Sequence, residues 1–282
     1  MPDGILLVGH GSRSEAGRNE LQQLARLVAG AAPEAAVELG FLELNDPTAT
    51  RAFGRLVDRG AHHIGIIPLM LNAAGHAKSD VPAVALHARH DFPDVHVSYG
   101  RPIGVDHAAL AVAHRRIADC GGAGLPLLVV ARGTTEPEAN ADAYRVARLL
   151  AEFTRPPFVQ PAFSGMTWPS VPEGLELCRA LGAERLVAFA WYLSTGRLVE
   201  RMQTQYAEFS ARTGIDVLDA GYLGPDPALV GIVLDRWDEA RRGAVQVNCD
   251  VCSYRRPFPG LEDRVGQPRG VGHSHLAATH LH

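Results

Sequence analysis

Two histidines and one glutamate have the types and placement to do chemistry: His10 in Gly9-His10-Gly11-Ser12, Glu43 in Phe41-Leu42-Glu43, and His76 after Gly75. Neutral imidazole binds borderline divalent metals, and its ordinary pKa of about 6.5 lets it take up a proton near neutral pH. A carboxylate can orient an imidazole, accept protons or complete a coordination sphere. A second group lies near the C-terminal end. Cys249 and Cys252 form a C-x-x-C, and His273, His275, His280 and His282 follow as four of the 13 His of the chain. Two thiolates are half of what a structural zinc or iron–sulfur centre needs. Cys120 and Cys178 are too distant in sequence to be added to the pair, whereas a homodimer would supply a second one. The terminal His cluster reads as a metal-collecting tail.

The elements that position these residues alternate. Apolar runs over 4–8, 37–42 and 64–71 read as buried strands, and the stretches 14–30 and 77–90 carry apolar residues at helical spacing. A further helix starts at Asn45-Asp46-Pro47, with a proline near its first turn, and ends at Gly60. A strand near 95–98 and a helix near 105–119 follow. Such alternation predicts a doubly wound parallel sheet covered on both faces. After the glycine-rich break 120–124 the pattern restarts, and a shift of 122 residues aligns the two halves. Leu7-Val8-Gly9 falls on Val129-Val130-Ala131, Phe41 on Phe163, Pro47 on Pro169 and Gly60-Ala61 on Gly182-Ala183. The reading is therefore two tandem α/β domains of one fold, 1–121 and 122–243, plus an irregular extension, 244–282.

The repeat also works as a functional test. His10 maps to Arg132, Glu43 to Gly165 and His76 to Leu198, so the first half alone keeps all three candidate groups. Each follows a predicted strand, and ligands of open parallel sheets bind beyond the carboxyl ends of the strands. The glycines around His10 lack both the dinucleotide fingerprint and the phosphate-loop lysine, so no nucleotide is expected. Ser12 reads as a turn or helix-cap hydroxyl rather than a nucleophile.

With 46% hydrophobic and 21% charged residues over 282 positions, the chain can bury a core. A net charge of −4 gives no basic surplus for nucleic acid. No window reaches the ~18 apolar residues of a membrane helix. The start of the chain does not read as a secretion signal, and four Cys point to a reducing compartment. The expectation is a cytoplasmic protein without a nucleic-acid or membrane partner, either monomer or homodimer.

Leu6-Leu7-Val8-Gly9-His10-Gly11-Ser12-Arg13, then Phe41-Leu42-Glu43, then Ile67-Pro68-Leu69-Met70-Leu71 leading to Gly75-His76, resemble the class II sirohydrochlorin chelatases of the CbiX type, over roughly residues 1–240. The resemblance implies two parallel α/β domains around a cleft, similar in fold to the ferrochelatase group. It also implies ATP-independent insertion of Co²⁺ or Fe²⁺ into sirohydrochlorin, a tetrapyrrole carrying eight carboxylates. Cobalt is favoured because the long form with a C-x-x-C resembles the cobalamin-pathway type. The alternatives are a ferrochelatase of siroheme synthesis and a non-enzymatic metallochaperone or storage protein; a solute-binding module is a third reading. The family's two active-site histidines carry over onto His10 and His76 and its acid onto Glu43. The substrate carboxylates require cations, for which Arg13, Arg51, Lys78 and Arg101 in the first half and Arg132 and Arg197 in the second are candidates. Long members of the family carry a C-x-x-C near the end, associated in some with an iron–sulfur cluster, and a His-rich tail.

Overall fold

The computed structural model describes residues 3–245 and 262–265. Cys249, Cys252, His273, His275, His280 and His282 lie outside the described residues, as does most of the extension expected over 244–282.

The first half contains β1 (Asp3–Gly9), α1 (Glu15–Ala31), β2 (Ala35–Phe41), α2 (Ala49–Asp58) and β3 (His63–Pro68). A π-helical turn (His76–Asp80) then runs into α3 (Val81–Asp91), followed by β4 (His96–Tyr99) and α4 (His107–Asp119). The second half contains β5 (Leu127–Ala131), α5 (Pro137–Thr154), β6 (Val159–Phe163), α6 (Val171–Ala180), β7 (Arg185–Ala190), α7 (Arg197–Thr213), β8 (Asp216–Tyr222) and α8 (Ala228–Arg241). The described residues form two parallel four-stranded sheets, ordered β2-β1-β3-β4 and β6-β5-β7-β8. The expected fold of two tandem parallel-sheet α/β domains is therefore the observed one. Ile5, Leu6, Leu7 and Val8 are all fully buried, the continuous apolar run of a strand covered on both faces. On one face Leu6 and Val8 pack with Phe53, Leu56, Val81 and Val84; in the second half Leu128 and Val130 pack with Leu175, Met202, Tyr206 and Phe209.

The repeat extends further than the sequence pattern. Shifted by 122 residues, α2 falls on α6 and β3 on β7 with the same bounds, and α4 falls on α8. The turns repeat as well. Gly11 (φ +104°) and Gly133 (φ +79°) occupy equivalent places, as do Leu44 (φ +64°) and Met166 (φ +65°), and Pro47 and Pro169 both follow cis peptide bonds. A Cβ on Gly11 would stand 1.9 Å from the Glu43 carbonyl oxygen, and one on Gly133 would stand 2.0 Å from that of Gly165. Only glycine fits where these loops touch.

Three local boundaries differ from expectation. The helix after Pro47 begins at Ala49, because the Thr48 side chain caps it by accepting from Arg51 N at 3.3 Å, while the Pro47 carbonyl accepts from Phe41 N. The third strand stops at Pro68; Leu69 N still donates to the Val8 carbonyl, and the chain then turns away toward Gly75. The helix expected over 77–90 is divided into the π-helical turn and α3.

The compact units also differ from a cut at residue 121. One comprises the described residues up to Arg13, Leu21–Gly104 and the described residues from Leu229; the other comprises Ser14–Glu20 and Val105–Ala228. In packing, α8 groups with the first sheet and α4 with the second, while 1–121 and 122–243 stay the two copies of the repeat along the chain. Side-chain shape gives the reason. Gly65 on β3 leaves a notch in which a Cβ would come within 2.7 Å of the Trp237 ring, so the indole of α8 takes that space. Arg101 donates two bonds to Glu239 of α8, at 2.7 and 2.8 Å, and the buried Arg236 also reaches Glu239 and the Ile103 carbonyl. In the second unit Arg115 and Arg116 of α4 bond to Asp226 and the Leu223 carbonyl, and Glu20 accepts from Thr195 N and the Tyr222 hydroxyl.

Candidate active site

In the strand order β2-β1-β3-β4 the chain leaves β1 first to one side and then to the other, so the switch point lies where β1 and β3 end. His10 is the residue after β1, and His76 opens the π-helical turn beyond β3. Their Nε2 atoms stand 2.9 Å apart, with ring centroids at 4.2 Å and planes at 85°. Glu43, in the loop after β2, places Oε1 3.3 Å from His10 Nδ1. All three residues expected from the repeat are thus brought together in the first unit.

The hydrogen-bonding roles follow from what each ring nitrogen faces. His10 Nδ1 is opposite two acceptors, the Glu43 carboxylate and the Gly11 carbonyl. His76 Nδ1 is opposite Asp80 Oδ2 at 2.5 Å. An imidazole nitrogen facing acceptors carries the proton. Both Nε2 atoms are then left with lone pairs pointed at each other. Two lone pairs at 2.9 Å repel unless a cation lies between them, either a proton or a metal ion. Imidazole nitrogens about 2.0–2.1 Å from one ion at a tetrahedral angle are about 3.3 Å apart, so the rings need part by only about half an ångström to admit one. Among the described residues no group of three or more His, Cys, Asp or Glu is arranged to hold a metal ion.

Asp80 was not among the residues expected from sequence. It is buried, 6% exposed, while His76 is half-buried. A carboxylate behind a ligating imidazole fixes its tautomer and raises its basicity. The signal that could have found it is the His-x-x-x-Asp spacing, one turn apart, together with the loss of the acid in the repeat, where Met202 takes its place. The π-helical turn carries both residues, and such turns recur at functional sites. The Tyr99 hydroxyl donates to the Ala77 carbonyl at 2.5 Å and pins it; burial pushes that phenol well above its ordinary range. On the other side, Ser12 N donates to Asn45 Oδ1 at 2.7 Å and ties the His10 loop to the Glu43 loop.

The expected cations are distributed. Lys78 lies on the π-helical turn between His76 and Asp80, and Arg13 is exposed three residues after His10. Arg51, on the first turn of α2, pairs with Asp46 at 3.2 Å. Arg101 is held by Glu239 and serves the packing of α8. Arg132 and Arg197 are exposed in the second unit, after β5 and at the start of α7. Cys178 is fully buried in the second core, and burial pushes its thiol up to about 12; Cys120 is pushed up in the same direction by burial. Burial of this kind leaves a thiol protonated rather than as a nucleophilic thiolate.

Comparison with known proteins places this geometry in a family. The CbiX family model matches residues 4–120 and again 126–240, one match per half. The chain is 35% identical over 258 residues to the sirohydrochlorin cobaltochelatase of Priestia megaterium, covering 89% of this chain and 84% of that protein. It is 31% identical over 264 residues to the sirohydrochlorin ferrochelatase of Bacillus subtilis (strain 168), covering 90% and 98%. Its structure superposes on the sirohydrochlorin chelatase SirB from Bacillus subtilis subspecies spizizenii in complex with cobalt with a TM-score of 0.75 at 27% identity, over 86% of this chain and 97% of that one. The duplicated strand-end loops, with a facing histidine pair in one copy only, are therefore those of a tandem protein, and the chain belongs to the CbiX family.

Proposed function

We propose that this protein inserts a divalent metal ion into sirohydrochlorin without a nucleotide, with cobalt favoured over iron. The observation that carries the reading is the facing pair of Nε2 lone pairs of His10 and His76, each ring backed by a carboxylate. The preference for cobalt rests on the greater identity to the cobaltochelatase than to the ferrochelatase.

Metallation releases two pyrrole N–H protons for each ion that enters the ring. His10 and His76 present the ion, and it passes to the ring nitrogens through the coordination positions that two imidazoles leave open. Once the ion leaves, the Nε2 atoms take up the released protons, with Asp80 and Glu43 stabilising the imidazolium forms. Arg13, Lys78 and Arg51 in the first unit, and Arg132 and Arg197 in the second, are cations for the substrate carboxylates; Arg101 contributes through its ion pair with Glu239. Anaerobic titration of sirohydrochlorin with Co²⁺, Fe²⁺ and Ni²⁺, followed by absorbance with and without the protein, tests the reading. Acceleration is expected with Co²⁺ first. Equal rates with and without protein for all three ions would sink it.

The Cys249–Cys252 pair supplies two thiolates toward an iron–sulfur cluster. Since Cys120 and Cys178 are far from this pair in sequence, a cluster would draw its other two from a second copy of the chain. The His273–His282 segment collects metal, so its removal leaves insertion intact at adequate metal concentration. A cytoplasmic setting fits the free thiols of Cys120 and Cys178. No helix among the described residues is long and apolar enough to cross a membrane.

A further inference from the structure

The second unit keeps the strand-end loops of the first but exchanges their side chains. Where the first unit has His10, Leu42, Met70 and Ser79, the second has Arg132, Ser164, Tyr192 and Arg201. The two acids of the first site, Glu43 and Asp80, become Gly165 and Met202. These replacements converge. The Tyr192 hydroxyl stands 2.5 Å from Ser164 Oγ, which also donates to the Arg132 carbonyl at 3.3 Å, and Arg201 donates to the Ser164 carbonyl. The charges acting on the Tyr192 phenol are the guanidiniums of Arg132 and Arg201, both positive. Two positive charges act on a half-buried serine–tyrosine hydroxyl pair, a set of donors that suits an anion. The bond to Ser164 uses one of the five N–H donors of Arg201 and orients the rest of its fork.

We propose that Arg132 and Arg201, set over the Ser164–Tyr192 hydroxyl pair, form a carboxylate cradle that takes an acidic side chain of the tetrapyrrole. This rests on the chelatase reading above. In duplicated form the fold then uses the same strand-end position twice, once for a cation and once for an anion. Arg197, one turn before Arg201 on α7, lies on the same helix face and extends the positive surface.

The test uses the full chain and measures metal-free binding by fluorescence quenching together with insertion kinetics. The variants are R132A, R201A and R201K. The probes are sirohydrochlorin, uroporphyrin with its eight carboxylates, and deuteroporphyrin with two. Loss of a charge-assisted contact should raise Kd and KM for sirohydrochlorin about 10- to 100-fold in R132A and R201A, with a much smaller change in kcat. R201K, which keeps the charge and loses the fork, should fall between. The penalty should be large for uroporphyrin and small for deuteroporphyrin. Unchanged Kd and KM in both alanine variants, with wild type active, would overturn the cradle and leave the chelatase reading standing. A penalty equal for the two porphyrins would also overturn it, because the contact would not be reading carboxylates. Wild-type protein that neither binds nor metallates sirohydrochlorin would overturn the chelatase reading itself.

Discussion

β1 and β5 end in loops with matched turns. The same positive-φ glycine touches the same neighbouring carbonyl, and the same positive-φ residue, Leu44 or Met166, stands before the same proline. At the tips of these loops the two halves share almost nothing: a histidine pair backed by carboxylates in one, arginines around a serine–tyrosine pair in the other. Backbone geometry at a strand end depends on turn residues and on a few carbonyl contacts. Most of the core lies in the strands and helices behind these loops, so the side chains at their tips can change chemistry while the fold persists. The duplicated loop is a mount, and its function lies in which side chains it holds.

The sharpest break of this comparison removes the histidine pair. H10A and H76A should each slow metal insertion by about 10²- to 10⁴-fold, the usual scale of a lost general base or ligand. The mirror change L198A should leave kcat within a few-fold. Near-wild-type rates in both histidine variants, measured anaerobically by absorbance, would place the chemistry elsewhere. Next in size is the carboxylate behind His76. D80A should lower kcat/KM for Co²⁺ by about 10- to 100-fold, whereas M202A at the equivalent place should not; equal effects would make Asp80 a packing residue.

A third contrast sets the packing of the exchanged helices side by side. Trp237 fills the notch over Gly65 in the first unit, and its counterpart one repeat earlier, Arg115, makes a half-exposed ion pair with Asp226. W237A should cost about 3–5 kcal/mol in urea unfolding, and R115A about 1 kcal/mol or less. Similar costs would mean that α4 and α8 are anchored alike.

The smallest effect concerns the opposite end of the strands. His63, at the start of β3, faces His96 with ring centroids 4.5 Å apart and bonds Ser98 Oγ at 3.0 Å; its repeat equivalent, Arg185, pairs with Asp216. Burial first, and then the charge of His96 and that of Arg241 on α8, hold His63 below its ordinary 6.5, with Asp3 on β1 opposing. The unfolded chain therefore takes the proton more readily than the folded one. The contribution of His63 is complete above about pH 6.5 and is lost as pH falls through its folded value. Between pH 7.5 and 5.5 the urea midpoint should fall more for wild type than for H63Q. A variant as acid-sensitive as wild type would clear His63 of the effect.

Much of the site was legible because it rests on local signals. The glycines around His10, the apolar runs that end beside it and the constant offset between the halves are readable one stretch at a time. The loss of His10, Glu43 and His76 in the second copy singled them out without any contact map. Asp80 escaped because its meaning depends on a π-helical turn, whose backbone bonds do not show in apolar periodicity. Arg101 was legible as a cation near a strand end but not as the partner of Glu239, a residue 138 positions away.

Sequence alone determined the alternation of strands and helices, the duplication, and which half retains imidazole chemistry, since all of these follow from residue type and spacing along the chain. Tertiary structure decided which helix covers which sheet, that the two Nε2 atoms meet at 2.9 Å, and that Arg201, Ser164 and Tyr192 meet in the second unit. The physical reason is range. Periodicity and turn chemistry act within a few residues, whereas a notch at Gly65 or a facing pair of lone pairs exists only once distant segments pack together.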